Sequence, residues 1–184
     1  MDVGLINGLP GHPLFVHGAV VLVPLTALAL VVCALWSSAA RRLGWVLPVM
    51  GLITLVLVVL TTESGEWLED RVRESALVEE HSEMGSALIP WAIALFLLTV
   101  AAWLLGRAGP RRERDRHGEA GSPAPGGTAA VARLASSPFV RVVALLIALA
   151  VAVGAVIQVY RIGDSGAEAA WQGRFSTSRS DAGR

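Results

Sequence analysis

The apolar positions of this chain gather into four long runs, 14–36, 44–62, 87–106 and 138–160, that are almost free of charged residues. Each approaches or exceeds the roughly 20 apolar residues that a helix needs to cross a bilayer. The pattern predicts an all-α integral membrane protein, a four-helix bundle with an acidic extracytoplasmic connection and a disordered cytoplasmic linker. Spans one to three occupy 1–106, with the acidic connection at 63–86. The linker covers 107–137, span four and a Gly-rich turn 138–171, and a disordered tail 172–184.

Polar and helix-breaking residues punctuate this plan. Pro13, Pro48 and Pro90 fall in the first turns of their spans, where a missing N–H is tolerated. Pro24 lies well inside span one and predicts a kink that frees the Val20 carbonyl. In the second connection, Trp67, Leu68, Val72 and Ala76 recur at helical spacing between acids. That spacing predicts a helical extension of span two or a short surface helix, with a re-entrant turn or irregular loop as alternatives. The stretch 107–137 runs from Arg-rich to Gly/Ser/Pro-rich and cannot bury enough apolar area to offset its ordering entropy.

Charge adds an orientation. Overall the formal net charge is zero, yet all 15 basic residues are Arg and they are segregated. Arg41 and Arg42 lie in the first connection, and Arg107, Arg111, Arg112, Arg114, Arg116, Arg133 and Arg141 in or beside the third. The second holds Arg71 and Arg73 against Glu63, Glu66, Glu69, Asp70, Glu74, Glu79, Glu80 and Glu83. Arg-rich connections stay inside. The reading is a multi-pass protein of the bacterial cytoplasmic (inner) membrane with both termini extracytoplasmic; Arg161, Arg174, Arg179 and Arg184 in the tail argue the other way. Trp36, Trp45 and Trp103 suit one interfacial belt, and Trp67, Trp91, Tyr160 and Trp171 the other. No basic n-region precedes the first run, so it reads as a retained span and not a cleaved leader. A composition 54% hydrophobic and 16% charged is too apolar for a soluble domain of this size. Cys33, the one cysteine, excludes intrachain disulfides and Cys-based metal clusters within one chain. The expected partners are the lipid bilayer and other membrane or redox proteins, with no nucleic acid.

The chemistry concentrates at one set of span ends. His12 and His17 open span one, Glu63 and Glu66 close span two, His81 and Glu83 precede span three, and Asp164 follows span four. An even number of crossings brings these groups to the same rim. His17 is the sharpest member, about one turn inside the apolar run, where an ionisable group is expensive and faces the bundle interior. His12 is five residues away, about 140° around a straight helix, and reads as a cap before Pro13. Around His81, Glu79, Glu80 and Glu83 provide carboxylates that can orient an imidazole, and the Met84 thioether follows closely. Glu63 and Glu66 share a helix face, with Gly65 leaving room between them. The run Gly163-Asp164-Ser165-Gly166-Ala167 matches the nucleophile motif of chymotrypsin-like proteases, but the chain lacks the strands for two β-barrels. Its glycines are expected to end span four in a tight turn.

Together, Gly11-His12-Pro13-Leu14-Phe15-Val16-His17, the acidic end of span two, the lone His81 and Val159-Tyr160-Arg161-Ile162-Gly163 before Asp164-Ser165-Gly166-Ala167 resemble a known family. It is the bacterial four-span predicted membrane protein family called domain of unknown function 2231. The resemblance covers most of the chain outside the linker and tail. It implies a four-helix transmembrane fold with His and carboxylate groups near one membrane face, and no established activity. Gly18 and Ala19 stand where many members carry an aromatic and Pro, and Asp164 where many carry His.

These readings leave a membrane protein of unassigned activity, more readily a binding protein than an enzyme, since no nucleophile–base pair stands out. The sharp hypothesis is haem b held by His17 and His81, with His12 as alternate. A divalent metal would take His12, His17, His81 and Glu66 as a mixed N/O set. Alternatives are a structural or assembly subunit, and a proton or ion pathway, for which the mid-membrane residues give little continuation beyond His17.

Overall fold

The computed structural model describes residues 5–6, 8–72, 75–108 and 137–171. The linker at 109–136 with His117, and the tail from 172 onward, lie outside the described residues. The fold is all-helical, apart from a two-residue antiparallel pairing of β1 (Leu5–Ile6) with β2 (Leu9–Pro10). Gly8, at φ +80°, supplies the left-handed turn between them. The helices are α1 (His12–Leu35), α2 (Ser37–Leu43), α3 (Val46–Glu69), α4 (Ala76–Ser86), α5 (Ile89–Ala108) and α6 (Pro138–Trp171). Among the described residues, four stretches are long and apolar enough to cross a membrane: α1, α3, the α4–α5 run and α6.

In the bundle, α1 packs along both α3 and α6, α3 also packs along α5, and α1 and α5 meet across the centre. The short connections from α1 to α3 and from α3 to the α4–α5 run make these consecutive spans antiparallel neighbours. The buried core holds Val23, Leu30, Leu47, Val58 and Leu95. Small residues form the rest of it: Ala19 and Ala27 on α1, Ala92 on α5, and Ala148, Ala152 and Ala155 on one face of α6. Such residues let helix backbones approach when no water drives the helices together. Gly51 faces the Thr99 hydroxyl and the α5 backbone at Phe96, and the Trp91 ring lies directly on Gly154. Large apolar side chains point outward all along the spans, among them Leu28 at 61%, Leu97 at 58% and Leu146 at 58% exposure. In water these would be a severe liability, whereas in a bilayer they are the lipid contact surface.

Midway along the bundle, the Thr26 and Thr54 hydroxyls hydrogen-bond at 2.7 Å, both fully buried, and Thr54 Oγ1 also donates to the Met50 carbonyl at 2.9 Å. The hydroxyl proton can serve only one of these acceptors at a time, so Thr26 donates when Thr54 turns to Met50. Thr54→Val is expected to cost about 1 kcal/mol, the usual scale of an interhelical hydrogen bond in membranes. Unfolding of the purified variant in a denaturing detergent measures it.

One sequence expectation is borne out in both its helical forms, and one is overturned. The second connection is both of the helical forms considered: α3 extends to Glu69, and α4 is a separate short helix joined to α5 by a turn at 87–88. The glycines of 163–166 do not end span four. Helix α6 runs through them to Trp171 as one 34-residue element, and neither Gly163 nor Gly166 has positive φ. A mid-helix glycine costs only about 1 kcal/mol relative to alanine. Here α4 packs along this part of α6 and supplies tertiary contact that offsets it. Pro24 likewise sits within a continuous α1.

Candidate functional site

The ends of α1, α3 and α6 carrying His12, Ser64 and Ser165 lie beside α4 and enclose a cavity of about 860 Å3. That is within the range of about 300–1,000 Å3 typical of small-molecule and cofactor sites. His12, His17, His81, Glu66 and Glu69 line it among apolar residues such as Val159.

His12 is the first residue of α1, half-buried, and it does not cap its own helix: Gly11 holds the N-cap position and no side chain caps there. Its ring instead reaches across to α3. Nδ1 lies 3.0 Å from the Thr61 carbonyl and 3.4 Å from Ser64 Oγ. A carbonyl only accepts, so Nδ1 carries the hydrogen and Nε2 keeps its lone pair. Ser64 is fully buried and donates to the same Thr61 carbonyl at 3.0 Å. The ring edge rests on Gly65, where a Cβ would come within 3.0 Å of Cε1.

His81 is held by α6. Its Nδ1 lies 3.0 Å from Ser165 Oγ, and that hydroxyl is 3.1 Å from the Ile162 carbonyl. With the serine hydrogen on Ile162, the serine oxygen accepts from the ring, and again Nδ1–H leaves Nε2 bare. Gly166 underlies the ring, since a Cβ there would come within 2.8 Å of Cε1. Two bonds fix the helix that carries His81. The Ser75 side chain caps α4 by accepting from Val78 N at 3.3 Å, and Gln158 Nε2 of α6 donates to the Met84 carbonyl at 2.9 Å. Met84 thus contributes its backbone to this tie. Ser75→Ala is expected to destabilise α4 locally by about 1 kcal/mol. Faster amide exchange confined to 76–86 is the measurement that checks it.

His17 behaves differently. It is exposed, and its Nδ1–H turns back to the Pro13 carbonyl of its own helix. Glu66 is exposed at the cavity rim, and Glu63 and Asp164 are exposed outside the lining. Among the described residues no three His, Cys, Asp or Glu side chains stand together as a metal-holding group. The four-donor set of His12, His17, His81 and Glu66 is therefore not assembled. Sequence reasoning passed over Thr61, Ser64, Ser165 and Glu69 as site components, and took Gly65 and Gly166 only as room at the polar rim. The signal for the two Ser-Gly pairs was available as a doubled acid-Ser-Gly triplet, Glu63-Ser64-Gly65 and Asp164-Ser165-Gly166.

Four apolar spans with a small-molecule-sized, imidazole-lined chamber at one end define a multi-pass helical membrane protein. The chain belongs to the predicted membrane protein family DUF2231, whose model matches residues 8–179. No curated protein and no solved structure matches it.

Proposed function

We propose that this protein binds haem b in the cavity at its histidine-bearing end, with His12 and His81 as the axial pair. The observation carrying this reading is the matched state of the two rings. Each is half-buried, lines the same cavity and engages the protein through Nδ1, an arrangement that as Nδ1–H leaves Nε2 free for a ligand. Iron-ligating imidazoles are held in this way, with the distal ring nitrogen donating to a carbonyl or other acceptor. Haem requires only two axial donors, because its porphyrin supplies the rest. A protein-only zinc site needs three or four. His12 replaces His17 in the pair because His17 is exposed and bonded within its own helix.

When bound, haem b supplies one-electron redox chemistry. The chain's own contribution is to hold two imidazoles in one tautomer and to surround the group with apolar side chains. Glu66 and Glu69 stand beside the rings as carboxylates at the cavity edge. In the proposed orientation the Arg-rich connections are cytoplasmic and the cavity opens at the outer face of the bacterial cytoplasmic membrane. Redox proteins at that face are the partners this placement suits.

The test is optical. Protein purified in mild detergent is titrated with hemin, and its spectrum, pyridine haemochrome and metal content are recorded. Low-spin haem at one per chain is expected. Hemin uptake no greater than that of a His12→Ala/His81→Ala double variant overturns the reading, and stoichiometric zinc or iron without haem replaces it by a metal site.

A further inference from the structure

The two imidazole anchorages are the same construction. In the first, His12 at the start of one span meets Thr61, Ser64 and Gly65 at the end of the next. In the second, His81 before a span meets Ser165 and Gly166 at the end of the following one, with the Ile162 carbonyl behind the serine. In both, the serine donates to the carbonyl three residues earlier, at 3.0 and 3.1 Å, and the ring Nδ1 faces that serine, His12 Nδ1 reaching the carbonyl as well. Each ring also presents the same edge to its glycine. From the position of an added Cβ, Cε1, Nδ1 and Nε2 lie at 3.0, 3.3 and 3.9 Å at Gly65, and at 2.8, 3.2 and 3.5 Å at Gly166. An acid precedes the Ser-Gly pair in each case, Glu63 and Asp164.

Helix packing repeats the relation. Exchanging α1 with the α4–α5 run and α3 with α6 turns the extensive α1–α6 interface into the α3–α5 interface, turns the α1–α3 interface into that of α6 with α4 and α5 together, and maps the α1–α5 contact onto itself. Both hairpins start and finish at the histidine-bearing end. The exchange is therefore a rotation about an axis along the bundle, the parallel type of internal repeat found in membrane proteins.

We propose that the site is a duplicated imidazole seat on this internal twofold, with Ser64-Gly65 and Ser165-Gly166 as equivalent positioning residues. Each half delivers one Nδ1–H-anchored ring to a central ligand that takes two equivalent nitrogen donors. This rests on the preceding reading for the ligand, where a metalloporphyrin receiving one axial nitrogen from each half is the fitting class. The seats themselves stand on the apo geometry. The inference also accounts for the Gly-Asp-Ser-Gly run: it is the second copy of a histidine seat and not a nucleophile. The glycines matter because any side chain at 65 or 166 occupies space that the ring edge uses. The ring is the freer partner and leaves its serine and carbonyl.

The experiment uses full-length protein labelled with 15N-histidine in detergent micelles, with His12→Ala and His81→Ala assigning the signals. Two-bond 1H–15N spectra are expected to show both rings as the Nδ1–H tautomer without any cofactor. Gly65→Ala should abolish that pattern for His12 alone, and Gly166→Ala for His81 alone. In hemin titrations each should weaken binding about 10–100-fold, the scale of losing a ligand's orienting partners. Ser64→Ala and Ser165→Ala, which add no bulk, should each move the Nδ1 resonance of the matching ring only. Either ring found as Nε2–H in the wild type, or rings indifferent to these four substitutions, overturns the duplicated seat. Nδ1–H rings that respond as described in a protein that takes up no hemin leave the seat standing and remove the haem reading.

Discussion

Replacing both His12 and His81 by alanine is expected to abolish the proposed low-spin hemin binding, and either single replacement to weaken it by at least about 100-fold. The magnitude follows from the hierarchy of metal ligation. Loss of an orienting partner alone is worth about 10–100-fold, so loss of the ligand itself is worth no less. Similar effects from the two singles are expected because each ring has the same kind of anchorage: a serine bonded to the carbonyl three residues earlier, and a glycine beneath the edge. His17→Ala, by contrast, should remain within a few-fold of wild type, because that ring is exposed and bonded only to its own helix. Titration of the purified variants followed in the Soret region reads all three. Thermal unfolding of the unloaded proteins separates ligand loss from fold loss, since neither ring belongs to the buried apolar core. A His17→Ala protein that loses hemin while His12→Ala retains it would reverse the assignment.

Gly154→Ala should destabilise the bundle by about 1–3 kcal/mol, the usual cost of overpacking an ordered interior. The Trp91 indole lies on the Gly154 backbone, in space that a single added methyl would share. The interface between α5 and α6 is thin compared with those of α1 against α3 and α6, so this contact is a large part of what joins the two helices there. Relief by shrinking the ring is the diagnostic. Trp91→Phe leaves a gap on its own, yet combined with Gly154→Ala it should recover part of the loss. The coupling between the two sites is read from a double-mutant cycle in denaturing detergent. Additive single effects, or a Gly154→Ala protein as stable as wild type, would refute the packing argument.

The spans were legible because the bilayer imposes one dominant rule. Runs of apolar residues near 20 long have few alternatives to crossing as helices. Their limits were set less well where the physical signal was local. Gly163 and Gly166 read as a stop because glycine favours turns, but α4 supplies contact that keeps α6 helical to Trp171. His12 read as a cap because it precedes Pro13. Its actual partner, the Thr61 carbonyl, lies 49 residues away, and no local spacing encodes that contact. The gathering of His12, His17, His81 and Glu66 at one end was visible from topology alone. Which ring would be anchored and which exposed depended on α3 and α6 facing their backbones to His12 and His81. Ser64 escaped attention because a serine in a helix end usually signals solvation, whereas here it is fully buried beneath an imidazole.

Helix α6 spans 34 residues, close to 51 Å at about 1.5 Å per residue, against a hydrocarbon core of roughly 30 Å. Ser165 therefore rides near the tip of an unbroken rod whose middle is gripped by lipid. Seen as a lever with its fulcrum near Ala148, a 10° change of tilt moves that tip by about 4 Å, more than the length of the bond it makes to His81. Helices tilt when bilayer thickness changes. A tilt of α6 would carry Ser165, together with α4 tied to it through Gln158 and Met84, relative to α1 and α3.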